Sequence, residues 1–201
     1  MPSRATDKSS PAPPSGGPSS QNSRMNPTPP DEERPVRLFL ALWPGAAARK
    51  HLVDWRDAWR WPASAVPVPL QRLHLTLHFI GNVPGQRLPG LAPQLDVAMK
   101  PFDLNFGHGE LWAGGIAVLH PQTVPAPLID LHQALSEKLT ACGLQTEESP
   151  LRPHITLARH AQGAEPPSRG PSFRWRVRSY VLVQSVPGTA GGYQWVAQFD
   201  R

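Results

Sequence analysis

Cysteine is almost missing from this chain, which has only Cys142 among 201 residues. No internal disulfide can form, so the fold must hold by packing alone, as expected in a reducing cytoplasm. Long apolar runs are missing too. No stretch approaches the roughly 18 consecutive apolar residues a membrane helix needs, and the amino terminus lacks the basic-then-apolar order of a secretion signal. A soluble, cytoplasmic protein is expected. There is no phosphate-cradling glycine loop, dinucleotide fingerprint or nucleophilic triad. Acidic side chains are the minority charge, 15 against 20 Lys and Arg, giving +5 and a pI near 10.0. That balance suits a polyanionic partner without naming one.

Large apolar side chains are scarce before position 35. Stretches such as Ser9-Ser10-Pro11-Ala12-Pro13-Pro14-Ser15-Gly16-Gly17-Pro18 offer nothing to offset the entropy of ordering. Residues 1–34 therefore read as a disordered, Pro- and Ser-rich tail, and 35–201 as one domain, since this length suits a single core. A monomer is expected.

Within 35–201, residues 36–42 read as a buried strand. Residues 46–60 form an amphipathic helix that places Leu52, Trp55 and Trp59 on one face. A strand over 70–80 closes at Gly81-Asn82, and a proline-weakened helix covers 87–100. Strands over 102–111 and 116–120 pair around Ala113-Gly114-Gly115. Leu128, Leu131, Leu135 and Leu139 stripe a helix over 127–142, which Gly143 stops; Cys142 at its end reads as a buried structural thiol. Strands over 154–158, 173–184 and 193–199 complete an α+β domain of two similar lobes.

What is present in duplicate is most informative. His74-Leu75-Thr76-Leu77 and His154-Ile155-Thr156-Leu157 repeat one pattern about half the folded region apart. Alternation along a strand puts His74, Thr76 and His78 on one face and Leu75, Leu77 and Phe79 on the other, and divides the second copy likewise. Two lobes facing each other would then make a cleft with one histidine on each wall. An imidazole of unperturbed pKa about 6.5 serves as base or acid near neutrality. Attack on a phosphodiester needs both at once, one to deprotonate the nucleophile and one to protonate the leaving sugar oxygen. Threonine hydroxyls can donate to the non-bridging oxygens. A single HxT is usually a polar strand face; two ordered copies in matching flanks carry the inference.

The paired signatures resemble those of the 2H phosphoesterase superfamily and, within it, the bacterial RNA 2′,3′-cyclic phosphodiesterases, also known as 2′-5′ RNA ligases. The likeness runs from Arg37 to Phe199 and includes Arg37-Leu38-Phe39-Leu40-Ala41-Leu42-Trp43-Pro44, Leu73 to Gly81, and Arg152-Pro153-His154-Ile155-Thr156-Leu157-Ala158-Arg159. It implies a bilobal fold of two pseudo-symmetric antiparallel-sheet lobes, with helices on the outer faces and a central groove. It further implies metal-independent hydrolysis of RNA 2′,3′-cyclic ends, tRNA fragments included, to 2′-phosphomonoesters, without a cofactor, and reversible 2′-5′ joining when a 5′-hydroxyl is present. By position His74 and His154 are the catalytic pair, and Thr76 and Thr156 bind the phosphate. Arg159 matches an arginine that often follows the second motif, although strand parity brings it to the groove only if the strand ends or bulges first. The chain departs from the family at Tyr193-Gln194-Trp195 and over 116–120.

Other side chains have plainer alternatives. His78 shares the face of His74 and is a candidate RNA contact, against a structural or solvated role. Residues four apart on a strand lie roughly 13 Å apart, too far for His74 and His78 to share an ion, so no metal is expected. Arg174, Arg176 and Arg178 alternate with Phe173, Trp175 and Val177 and are candidate RNA contacts, or else a solvated outer face. His51, His108, His120, His132 and His160 read as surface residues. The sequence leaves open which imidazole is the base, with a slight preference for His154 as base and His74 as acid. Two other functions remain: the same chemistry on small cyclic nucleotides or an ADP-ribose cyclic phosphate, and a groove that binds RNA without turnover.

Overall fold

The computed structural model describes residues 34–145, 150–168, 170, 172–186, 188 and 192–200. Apart from Arg34, the tail read over 1–34 lies outside them.

The described chain runs β1 (Pro35–Leu42), α1 (Ala46–Asp57), β2 (Val66–Pro67), β3 (Leu75–Pro84), α2 (Leu88–Gln94), β4 (Phe102–Trp112), β5 (Ile116–Pro121), α3 (Ala126–Ala141), β6 (Ile155–Arg159), β7 (Phe173–Val177), β8 (Ser179–Ser185) and β9 (Tyr193–Asp200), with 3-10 turns at Leu70–Arg72 and Gly85–Arg87. The apolar periodicities act as expected. Leu52, Trp55 and Trp59 are buried, and the two tryptophans pack over Gly109 of β4, where an added Cβ would stand 2.8 Å from Trp59. All four leucines of the α3 stripe are buried, each worth about 1.5–3 kcal/mol on leaving water. The helix ends in a Schellman motif: Gly143 takes φ +69°, its N–H reaches Thr140 O, and Leu144 N–H reaches Leu139 O.

Four local readings change. The segment read as a strand over 70–80 begins with a 3-10 turn and continues past Gly81-Asn82 to Pro84. Gly81 does not close it, because its positive φ belongs to an irregularity in the pairing with β1. The helix read over 87–100 keeps only seven residues, with prolines at its start and at Pro93. Residues 173–184 are two strands broken at Arg178. Cys142 is the half-buried C-cap of α3 and bonds Gln94, so it is less enclosed than a core thiol.

The sheet order is β7-β4-β5-β6-β3-β1-β8-β9, with β2 on β6, and every pairing is antiparallel. The α+β, two-lobed architecture follows: β2 and β4 to β7 form one lobe, β1, β3, β8 and β9 the other. The lobes are not the two sequence halves. The break at Arg178 sends the chain from β7, at the edge of one lobe, into β8 beside β1 of the other. The helices cross over as well, α1 packing on β7 and α3 on β3. Among the described residues only Leu75↔Ile155 pairs across the seam. Among the described residues no helix is long and apolar enough to cross a membrane.

Candidate active site

Both motif strands meet at that seam. In antiparallel register, one step either way from Leu75↔Ile155 sets His74 across from Thr156 and Thr76 across from His154. All four side chains line one hollow of about 240 Å³, walled by Val66, Val68 and Pro69 on one side and Tyr193 on the other. The apolar partners Leu75, Leu77, Ile155 and Leu157 are buried behind them. Strand alternation thus produces the expected division, with one histidine and one threonine from each lobe facing a common space.

The two histidines are held alike. His74 Nδ1 donates to Arg72 O at 2.5 Å and His154 Nδ1 to Arg152 O at 2.8 Å. A carbonyl only accepts, so Nδ1 carries the proton in both rings and Nε2 is left free. Each imidazole is also flanked by a tryptophan. Trp43 stacks on His74 at 5.2 Å with the planes 4° apart, and Phe39 and Tyr193 close around it at 5.0 and 5.4 Å. Trp112 leans on His154 at 4.5 Å. Its Nε1 donates to Glu110 at 2.8 Å, and the Arg152 guanidinium lies 4.0 Å over its ring. The enclosure of His74 is aromatic on several sides; that of His154 is more open.

The fourth residue of each motif is a bulge. In β3 the register steps from Ala41↔Thr76 to Leu40↔His78, leaving Leu77 unpaired; in β6 it steps from Val118↔Thr156 to Ala117↔Ala158, leaving Leu157 unpaired. An extra residue reverses the facing of everything after it. Residues 73–79 and 153–159 consequently share one burial sequence, ending in two buried positions and an exposed one. Arg159 reaches the hollow by this bulge, and Phe79 reaches it in the other lobe.

The first bulge changes the facing expected of His78. Its ring turns to α3, where it stacks on His132 at 4.0 Å and bonds His132 O at 2.9 Å, and it is only 5% exposed. His78 therefore turns away from the face of His74, yet it and the half-buried His132 line a separate hollow with Thr76, Arg152 and His154. The distance argument against a metal shared by His74 and His78 gives way to a simpler one, that they face different sides of β3. Among the described residues no group of three or more His, Cys, Asp or Glu could hold a metal ion.

Electrostatics favour neutral imidazoles in the free protein. Burial, opposed by the Arg72 carbonyl and assisted by His154 and Arg159, lowers the His74 pKa to about 4. Burial also lowers that of His154, against the Arg152 carbonyl and together with the Arg152 and Arg159 charges. Desolvation penalises imidazolium, and a neighbouring guanidinium adds to that penalty. An anion placed between them favours imidazolium and so opposes the pull of burial and of the guanidinium charges.

The arginine stripe divides. Arg174 and Arg176 converge on Asp103 at 2.8 and 2.9 Å and hold its carboxyl below the usual range. Both belong to the outer edge of β7, away from the hollow lined by the histidines. Arg178, at the break, has no ion-pair partner among the described residues.

Strict alternation hid Phe79 by placing it with Leu75 and Leu77. Phe79 and Arg159 occupy equivalent positions two past the fourth motif residue, but a phenylalanine there gives no sign in sequence that it is exposed. Trp43, Trp112 and Tyr193 carried no pattern linking them to the histidines, because they arrive from the residue after β1, the end of β4 and the start of β9.

A family model described as 2′-5′ RNA ligase superfamily matches residues 44–185. The chain is similar to the RNA 2′,3′-cyclic phosphodiesterase of Escherichia coli K12, 32% identical over 154 residues that cover 75% of this chain and 84% of that protein. The enzyme of the same name from Thermus thermophilus is 29% identical over 167 residues, 75% and 82% of the two chains. The crystal structure of E. coli LigT with 3′-AMP superposes with a TM-score of 0.74 at 27% identity, covering 83% of this chain and 98% of that one.

Proposed function

The chain belongs to the 2′-5′ RNA ligase superfamily, and from that membership and its groove we propose that it hydrolyses RNA 2′,3′-cyclic phosphate ends to 2′-phosphomonoesters through His74 and His154. The observation that carries this reading is the matched pair of imidazoles, each pinned at Nδ1 and lining the same hollow as two threonines and Arg159.

The cyclic phosphate lies between the walls, its non-bridging oxygens on the Thr76 and Thr156 hydroxyls and the Arg159 guanidinium. These donors stabilise the negative charge that builds in the transition state. His154, on the more open wall, takes a proton from water through Nε2 as the water oxygen bonds to phosphorus. The P–O3′ bond breaks, and O3′ takes a proton from Nε2 of His74, where aromatic rings keep bulk water from competing. The phosphate remains on O2′, and solvent returns the proton from His154 to His74. Because His74 is held to about 4 in the free protein, it gains its proton when the phosphate anion binds, so the acid is charged only when there is something to cleave. A 5′-hydroxyl in place of water would run the same steps toward 2′-5′ joining.

Incubating an oligonucleotide with a 2′,3′-cyclic end in EDTA, followed by phosphorus NMR, tests the reading. A 2′-phosphomonoester is expected. A 3′-phosphomonoester or an unchanged cyclic phosphate contradicts it. Cyclic-ended tRNA fragments are proposed as natural substrates, and a mononucleotide preferred over every such strand would count against them.

A further inference from the structure

A second hollow shares no lining residue with the catalytic one but is connected to it through a single ring. It has a volume of about 260 Å³ and is lined by Trp43, Arg49, Trp175, Arg178 and Trp195, among others. Trp43 links the two: its ring stacks on catalytic His74, and Trp195 meets it edge-on at 5.7 Å with the planes 77° apart.

The lining chemistry is selective. Trp195 sits on β9, an edge strand, and is 45% exposed, so one side of its ring packs on Trp43 while the rest is open to a ligand. Arg49, Arg176 and Arg178 line the hollow and no carboxylate does. Asp103 satisfies Arg176, whereas Arg178 lacks an ion-pair partner among the described residues. An aromatic platform beside uncompensated guanidinium groups is the composition that holds single-stranded nucleic acid, with bases on the rings and phosphates on the cations.

We propose that this hollow is a subsite for the RNA strand immediately 5′ of the cyclised nucleotide, with Trp195 stacking a base and Arg178 holding a backbone phosphate. The proposal rests on the phosphodiesterase reading above. It explains how a catalytic hollow sized for one terminal nucleotide would favour a strand over a mononucleotide. It also moves the strand contact from the whole Arg174 to Arg178 stripe to the one arginine of that stripe without an ion-pair partner among the described residues.

The test compares kcat/KM for cytidine 2′,3′-cyclic phosphate with that for an oligonucleotide ending in the same group, in the wild type and in Arg178→Glu and Trp195→Ala. The expected wild-type preference for the oligonucleotide is roughly tenfold or more, the scale of one stacked base. Each variant should bring that ratio toward one, with mononucleotide turnover by the same samples reporting that they fold. The slope of log kcat/KM for the oligonucleotide against log salt should fall in magnitude by about one unit in Arg178→Glu. A wild-type ratio near one, equal losses on both substrates, or an unchanged salt slope overturns the subsite while leaving the catalytic reading intact. If neither substrate is hydrolysed, the catalytic reading fails and the subsite falls with it.

Discussion

Leu75 and Ile155 face each other at the one paired position that, among the described residues, joins the two halves of the sheet. The pair itself is apolar and buried, but its register fixes where four polar side chains stand. With antiparallel strands, each histidine comes to lie across from the threonine of the other motif. A one-residue slip would turn one motif's set away from the other's, so the chemistry of the hollow depends on a contact between two aliphatic residues.

Arg159 enters the hollow through the bulge at Leu157 and there accompanies both imidazoles. Arg159→Ala should lower kcat by about 10²- to 10³-fold, the usual cost of removing a donor to transition-state charge. Arg159→Lys should recover little of it, because a single ammonium does not reproduce a planar fork. Steady-state kinetics on a cyclic-ended oligonucleotide provides the check, and a Lys variant close to wild type would show that only charge is needed.

The division of labour between the histidines is open to a chemical test. Replacing O3′ of the cyclic phosphate with sulfur gives a leaving group that hardly needs protonation. His74→Ala should therefore recover most of its lost rate on the 3′-thio substrate, and His154→Ala should not. Rescue of His154→Ala alone would reverse the assignment.

The pH dependence follows from the lowered pKa values. In the free protein the proton on His74 is lost as pH rises through about 4, and His154 becomes a competent neutral base below its ordinary 6.5. Both limbs of the kcat/KM profile, which reports the free enzyme, should lie on the acid side of pH 6.5. The kcat profile should sit at higher pH, because the bound phosphate anion favours imidazolium. A kcat/KM alkaline limb above pH 7 would show that His74 keeps its proton without substrate.

Much of this was legible in residue order. The duplicated HxTx pattern located the facing threonines and histidines because two-residue alternation holds from His74 to Leu77 and from His154 to Leu157. It failed one residue later, where Leu77 and Leu157 bulge: His78 passed to α3, while Phe79 and Arg159 came forward. A bulge leaves no composition signal of its own; the strand registers reveal it. The two lobes are legible as a pair but their strand membership is not, since nothing in the apolar run over 173–184 announces that Arg178 carries the chain from one lobe to the other. The aromatic rings around His74 come from strands distant in sequence, and local patterns do not register such contacts.

Single-turnover hydrolysis of a cyclic-ended oligonucleotide by His74→Ala and by His154→Ala, each first shown to unfold at a wild-type temperature, tests the central claim most directly. The account predicts that either substitution lowers the rate by at least about 10²-fold, the smaller end of what a positioned acid or base supplies, with the fold unaffected. Near-wild-type turnover by either folded variant would contradict it.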